Sequence, residues 1–72
     1  MTIQLLVNYE DDKHVIAILY KDEDTLDRCY FNDIEQVGPW IEDWFPNATL
    51  RNETNKSAPF YHRWFIIEPC TD

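Results

Sequence analysis

The chain has 72 residues and a formal charge of −8, because fourteen Asp and Glu residues outnumber six Lys and Arg residues. Without a patch of Lys and Arg, direct binding to DNA, RNA or an anionic membrane is not expected. Aromatic residues make up 15% of the sequence, which is too much apolar bulk for a disordered acidic tail. The length predicts a single domain over residues 1–72 with a thin margin of stability.

The expected compartment follows from what the sequence lacks. No apolar run approaches the roughly 20 residues of a membrane span, and the N-terminus has no signal-peptide pattern, so a cytoplasmic location is expected. Cys29 and Cys70 lack CxxC spacing, which argues against a metal knuckle or a redox pair. In a reducing compartment we expect a small buried thiol at Cys29, within a strand, and a loose one at Cys70, in the tail.

The first 31 residues alternate between apolar and polar positions and contain two acidic turns. Strands are predicted at residues 3–9, 14–20 and 26–31, and their short connections give a three-stranded antiparallel meander. The second strand is apolar on both faces, as expected of a central strand. One of its faces carries His14, Ile16, Ile18 and Tyr20, and the other carries Val15, Ala17 and Leu19.

A helix is predicted after the meander. Asn32 or Asp33 can cap it, and Asn32 with Glu35 has the form of a capping box. Gly38-Pro39 interrupts the apolar stripe, so the helix either kinks there or begins with the proline in its first turn. We predict an acidic turn from Asp33 and a main helix over residues 39–45, ended by the next proline. The stripe that would face the sheet is Ile34, Val37, Ile41, Trp44 and Phe45.

The rest of the chain predicts two more strands around a polar loop. A short edge strand is expected at residues 48–51 and a last strand at residues 60–67. The fold class is therefore α+β: a small antiparallel sheet of four to five strands in the order β-β-β-α-β-β, with one helix packed on one face. The second and last strands carry more apolar side chains than one helix can cover. A homodimer through the open sheet face would hide the surplus, whereas a monomer would leave Val15, Ala17 and Leu19 half exposed.

The topology predicts where the acidic clusters lie. The two turns, at residues 10–12 and 22–24, should occupy opposite ends of the sheet, about 20 Å apart. The start of the helix brings Asp33 and Glu35 to the first end, and the returning helix brings residues 42–43 toward the second. Two negative zones at this spacing suit a basic groove made for nucleic acid. They equally suit the solvated turns of a small domain, and both interpretations stay open.

The predicted partner-binding residues are these clusters together with one tryptophan. Trp44, Phe45 and Trp64 are expected in the core. Trp40 is rotated about 100° from Ile41 on the helix, toward the rim, and is expected to be an exposed contact. The full set is Glu10, Asp11, Asp12, Asp22, Glu23, Asp24, Asp33, Glu35, Trp40, Glu42 and Asp43.

No catalytic or metal site is predicted. The carboxylates at residues 22–24 could hold a cation, but the alternating acidic positions and turn glycine of a calcium loop are absent. His14 and His62 have no nucleophile and orienting acid in a recognisable context. They are expected to be sheet-surface residues that stack on aromatic neighbours. The protein is therefore expected to be non-enzymatic and to need no cofactor.

The functional expectation comes from size, charge and the third strand followed by Phe31-Asn32-Asp33-Ile34-Glu35-Gln36. In these respects the chain resembles the small acidic inhibitors of phages and mobile elements, among them anti-CRISPR and anti-restriction proteins, some of which mimic nucleic acid. The resemblance implies a non-enzymatic blocker of a basic protein or ribonucleoprotein complex, whose Lys and Arg the acidic clusters would contact. An immunity protein or antitoxin against a basic nuclease toxin is one alternative. A minor structural or assembly subunit that uses an apolar sheet face is the other.

Overall fold

A computed structural model describes residues 2–69, which form a five-stranded antiparallel sheet and one α-helix. The strands are β1 (Ile3–Tyr9), β2 (Val15–Lys21), β3 (Asp24–Phe31), β4 (Thr49–Asn52) and β5 (His62–Glu68), and a 3₁₀ turn (Ile34–Gln36) leads into helix α1 (Val37–Trp44). Across the sheet the strand order is β3-β2-β1-β5-β4. The predicted α+β class and element order are confirmed, and the two edges of the sheet are β3 and β4.

The register between β1 and β2 decides which side of the sheet becomes the core. Leu5 pairs with Leu19 and Val7 with Ala17, so the apolar face of β1 shares one side with these β2 residues. Helix α1 covers this side. Val37 and Ile41 of the helix join a cluster of sheet residues that are each 2% exposed or less: Ile3, Leu5, Val7, Val15, Ala17, Leu19 and Ile67. We call this side the helix face.

The opposite side of the sheet, which we call the open face, is also apolar. It carries Leu6, Ile16, Ile18, Tyr20, Trp64 and Ile66, whose side chains are half-buried among themselves, and no other element within residues 2–69 packs over them. The rings of Tyr20 and Trp64 stack at a centroid distance of 5.9 Å. The prediction that Trp64 lies in the core is therefore wrong, because its register partner is Leu6 of the open face.

The assignment of the two faces of β2 also needs correction. Val15, Ala17 and Leu19, expected to be half exposed in a monomer, are fully buried under the helix. The half-exposed residues are their neighbours Ile16 and Ile18. Because β2 is apolar on both faces, its own sequence does not decide which face is buried. Its pairing with β1, whose apolar residues lie mainly on one face, decides it.

The helix begins earlier than predicted, at Val37 instead of residue 39. Pro39 is then the third helical residue, where a backbone amide has no intrahelical acceptor, so its missing N–H costs no hydrogen bond. Of the two predicted caps, Asp33 is the one used, and it caps the 3₁₀ turn before α1, because its Oδ1 accepts a hydrogen bond from the Glu35 amide at 3.0 Å. Within residues 2–69, no helix combines the length and apolarity that crossing a membrane requires.

Two further details concern the edges of the sheet. A β-bulge interrupts the pairing of β2 with β3 between Leu19 and Tyr20, and Leu26 of β3 packs against the core there. Cys29 lies in β3, as predicted, and is half-buried with a free thiol. Cys70 lies outside the described residues.

Phe60, predicted to begin the last strand, instead lies in the turn that precedes His62 and is 82% exposed.

The difference between the faces predicts different costs for two adjacent leucines. Leu5→Ala removes a side chain that is 1% exposed on the helix face, and we expect the free energy of unfolding to fall by about 2–5 kcal/mol. Leu6→Ala is the matched control on the open face, where partial exposure limits the loss to under about 1.5 kcal/mol. Urea unfolding of both variants in dilute solution measures the two values. Equal losses would contradict the assignment of the faces.

Candidate functional site

The register places the two acidic turns at opposite ends of the sheet, as the sequence predicts. Tyr9 pairs with Val15 at one end and Ile3 pairs with Lys21 at the other. Seven residues at about 3.4 Å each separate the turns by roughly 20 Å. Phe31 also pairs with Val15, so Asp33, two residues later, follows at the first end. We call the end with residues 10–13 the first end and the end with residues 22–23 the second end.

The second end is less concentrated than predicted. Helix α1 connects β3 to β4, and Thr49 of β4 pairs with Glu68, so the helix does return toward the second end. However, β4 is three strand positions from β2, which is about 14 Å at the usual strand spacing. The chain that follows Glu42 and Asp43 therefore leads to the far edge of the sheet, not to the turn at residues 22–23.

Each acidic cluster contains a carboxylate that bonds to backbone amides and so has a structural role. This is the chemistry that makes Asp common in turns and at helix starts. The bonds run to Asp11 from the amides of Lys13 and His14, both at 2.8 Å, to Asp22 from Thr2 at 3.0 Å, to Asp33 from Glu35 at 3.0 Å and to Glu42 from Asn47 at 3.0 Å.

Asp22 shows how specific this role is. It is the first residue of the two-residue turn between β2 and β3, with a φ of 56° in the left-handed region. Asp adopts this conformation more readily than most residues. Its amide donates to the Thr2 carbonyl at 2.7 Å while its Oδ1 accepts from the Thr2 amide. Asp22 therefore extends the pairing of β1 with β2 by one residue pair, and its carboxylate is not simply a solvated charge.

Glu10 accepts a hydrogen bond from the Tyr30 hydroxyl at 3.3 Å, and the other five carboxylates of the clusters face solvent. Within residues 2–69 their side chains make no hydrogen bond or ion pair, so their charge is not neutralised there. The ion pairs of Arg51, with Glu53 at 2.6 Å and Glu68 at 2.8 Å, lie elsewhere, at the β4 edge. We call these solvent-facing residues the free carboxylates: Asp12, Glu23, Asp24, Glu35 and Asp43.

A cleft of about 440 Å³ opens beside the first turn. Its lining, which defines what we call the acidic cleft, is Tyr9, Glu10, Asp11, Asp12, Phe60, Tyr61 and Arg63. Two backbone hydrogen bonds of 2.8 Å hold its walls in place, from the Tyr9 amide to the Tyr61 carbonyl and from the Glu10 amide to the His14 carbonyl. The acidic turn and the loop before β5 are thereby fixed against each other.

The acidic cleft combines negative charge with accessible aromatic rings. Three carboxylates face one guanidinium, Arg63, which donates to the His62 carbonyl at 3.0 Å. Phe60 and Tyr61 are 82% and 40% exposed, and their rings meet edge to face at 5.5 Å. Carboxylates attract a cationic head group, and aromatic rings pack against its alkyl stem or cation. The cleft is therefore suited to a Lys or Arg side chain.

The sequence indicated the acidic half of this cleft but not the aromatic half. The predicted partner-binding set does not contain Tyr9, Phe60, Tyr61 or Arg63, because they come together only through the pairing of β1 with the chain entering β5. The one available signal is local. Pro59-Phe60-Tyr61 places two large rings directly after a polar loop, where a strand start would bury them and a turn exposes them.

The two histidines lie beside tyrosines, as predicted. The His14 ring stacks on Tyr30 at 6.3 Å, and the His62 ring meets Tyr61 edge to face at 4.7 Å. His14 Nδ1 also lies 2.7 Å from Asp11 Oδ2. The partners of the His14 ring in the described part of the chain are thus an acid and an aromatic ring, which fix the turn. No group of three His, Cys, Asp or Glu side chains within residues 2–69 is placed to hold a metal ion.

The prediction that Trp40 is an exposed contact is wrong in its geometry. The ring of Trp40 packs edge to face against Phe31 at 5.5 Å and lies against the core cluster. Trp40 lies three residues after the buried Val37 and next to the buried Ile41, so it shares the face of the helix that packs on the sheet. Trp44 is 41% exposed instead, because it is the last helical residue and its ring tilts against Phe45 at 6.3 Å.

Two pKa values at the first end depart from their ordinary range. Hydrogen bonds from the backbone amides of His14 and Lys13, and then from the His14 ring, lower the pKa of Asp11 from 3.8 to about 2. Desolvation, and then the nearby charge of Glu10, raise the pKa of Tyr30. Glu10 Oε2 accepts a hydrogen bond from the Tyr30 hydroxyl at 3.3 Å. Asp11 is therefore held in its ionised form by the turn.

Comparison with known proteins places the chain in no family. No family model matches the sequence, and neither a curated protein nor a solved structure matches it. The function is therefore inferred from the charge, burial and geometry of the chain itself.

The lowered pKa of Asp11 predicts a pH dependence of stability. Because folding lowers this pKa from 3.8 to about 2, the ionised carboxyl stabilises the folded state fully above about pH 4, and this contribution is lost as the pH falls toward 2. An NMR titration of the Asp11 carboxyl carbon should give a midpoint near 2. In Asp11→Asn, the decline in unfolding free energy over this pH window should be smaller.

The matched control is Asp12→Asn, which removes the same charge from the same turn but none of the amide hydrogen bonds. We expect it to retain the acid-dependent decline. An Asp11 midpoint near 3.8 would contradict the bonding of the turn.

Proposed function

We propose that the chain is a non-enzymatic acidic binding protein that inhibits a nucleic-acid-handling protein or complex by occupying its positively charged surface. The observation that carries the proposal is the set of five free carboxylates, which remain solvent-facing and unpaired within residues 2–69. They occur at both ends of a rigid sheet and along the helix. Such an array can meet several Lys and Arg side chains of one groove at once.

Within each cluster, one carboxylate bonds to backbone amides and at least one neighbour does not. This difference supports a binding function over simple solubility. Hydrogen bonding to turn and cap amides explains Asp11, Asp22 and Asp33, but it leaves their neighbours Asp12 and Glu23 without a role in folding. An excess of like charge costs a small domain self-repulsion. A basic partner would relieve that repulsion on binding.

The acidic cleft supplies a point of specificity. A Lys or Arg side chain of the partner enters between the first turn and the rings of Phe60 and Tyr61, where its charge meets Asp12 and its stem packs on the aromatic faces. The free carboxylates then steer the encounter, and the cleft anchors it. This combination of rim charge and aromatic anchor is typical of protein interfaces.

Anti-CRISPR and anti-restriction proteins are the kind of inhibitor that this surface suits, acting in the cytoplasm on a basic groove. An immunity protein or antitoxin would use the same surface against a basic nuclease toxin. The two differ in the identity of the partner and not in the chemistry of contact. The second candidate function, an assembly subunit, is favoured by a different observation, the apolar open face.

Neutralising the free carboxylates should weaken binding without unfolding the protein. The variant changes the five residues to amides: Asp12→Asn, Glu23→Gln, Asp24→Asn, Glu35→Gln and Asp43→Asn. It carries a charge of −3, since five of the eight net charges are removed. Five exposed charge pairs at roughly 0.3–1 kcal/mol each predict at least about a tenfold loss of affinity. Capture from nuclease-treated lysate, followed by titration of the recovered partner at about 50 and 300 mM salt, measures it.

The matched control keeps the charge and changes the side chains, with Asp12→Glu, Glu23→Asp and Asp24→Glu. It should bind like the unmodified chain, and the unmodified chain should itself bind more weakly at the higher salt. Recovery of no basic or nucleic-acid-handling protein, or a partner whose affinity is indifferent to both salt and neutralisation, would overturn the proposal.

A further inference from the structure

We propose that the open face is the interface for a second copy of this chain, so that two sheets pack face to face with their helices outward. This inference is independent of the proposed function, because it rests on apolar surface and not on the free carboxylates. The open face carries six large apolar side chains that nothing within residues 2–69 covers. A contiguous apolar patch that spans a sheet face marks an interaction surface.

The apolar side chains form one continuous patch across three strands. In one row, Ile18 of β2 pairs with Leu6 of β1, which pairs with Trp64 of β5. Ile16 and Ile66 extend the patch toward the two ends of the sheet, and Tyr20 stacks on Trp64 across β1. The patch is therefore two-dimensional and central, as in the inner face of a β-sandwich.

The charge distribution selects a second copy over a basic partner. The open face of the central strands β1 and β2 bears no carboxylate, and Glu68 of β5 is paired with Arg51 at 2.8 Å. A cationic partner would therefore find nothing to neutralise it there. Most of the chain's negative charge lies in turns and on the helix, at the rim of such an interface or beyond it.

Two arginines lie at the edges of the open face. Arg28 pairs with Ile18 at the β3 edge, and Arg51 pairs with Ile66 at the β4 edge, so both lie beside the apolar patch. Arg28 makes no ion pair within the described part of the chain. In an isologous dimer these cations lie at the rim of the interface, and apolar residues meet apolar residues.

The size of the face fits a dimer. Five strands at about 4.8 Å and seven residues at about 3.4 Å give a face of roughly 24 by 24 Å. Two such faces bury on the order of 1,100 Å², which clears the approximate 1,000 Å² expected of a specific interface. The dimer would thus be a modest, concentration-dependent one.

Sedimentation equilibrium over a concentration series tests the proposal. We expect the mass to rise from the monomer's 8.7 kDa toward twice that value. Ile18→Lys places a charge at the centre of the patch and should raise the dimer dissociation constant at least about tenfold. Leu50→Lys is the matched control, because Leu50 is an exposed apolar residue that pairs with Ile67 on the helix side. It should leave the dissociation constant within about twofold.

Salt separates this interface from the one in the proposed function. Two chains of charge −8 repel each other, so the dimer should tighten between about 50 and 500 mM NaCl, whereas a charge-held partner is released. If Ile18→Lys fails to fold, Ile18→Thr keeps the β-branched shape and should still weaken the dimer. A chain that stays monomeric to about 1 mM, or a dimer indifferent to both Ile18 variants, would overturn the inference and leave the proposed function standing.

Discussion

The eight-residue helix α1 covers one face of a sheet that is five strands wide, and the register of β1 decides which face that is. Because Leu5 pairs with Leu19 and Val7 with Ala17, the helix closes over the smaller aliphatic side chains of β2. The larger set, which includes Tyr20 and Trp64, is left on the other side. The rest of the molecule follows from this unequal coverage: a dry core on the helix face, and an apolar surface opposite it that nothing in the described part of the chain covers.

Charge and apolarity are therefore separated in space. The clustered carboxylates occupy turns, the start of β3 and the helix, where one member of each cluster bonds to backbone amides and at least one neighbour remains in solvent. The apolar surface occupies the centre of the open face. The proposed charged contact is expected to lose affinity as salt rises, and the proposed apolar contact is expected to gain it. A small chain can in this way present a charged array to one partner and an apolar sheet to another without the two interfering.

The sequence predicts a strand or turn correctly where its residue pattern is compatible with only one local structure. Alternation fixed β1 at Ile3–Tyr9, and the acidic turns fixed the meander. The sequence does not decide the structure where two local conformations have similar free energies. A proline is tolerated at the first or the third helical position, so the start of α1 at Val37 could not be distinguished from a later one. Whether Trp40 or Trp44 is buried depends on how far the helix extends beyond the sheet. The acidic cleft depends on Tyr9 meeting Tyr61 from the opposite part of the chain.

The most direct test of this unequal coverage is NMR line broadening by a neutral, soluble gadolinium chelate, followed on the side-chain methyl groups over a dilution series. The proposed dimer predicts that the methyl groups of Ile16 and Ile18 broaden progressively on dilution, as the open face is released to solvent. Those of Val15 and Leu19, which are fully buried, should stay protected at every concentration. Equal protection of both sets in the most dilute sample, or broadening of Val15 and Leu19 first, would contradict the assignment of the two faces.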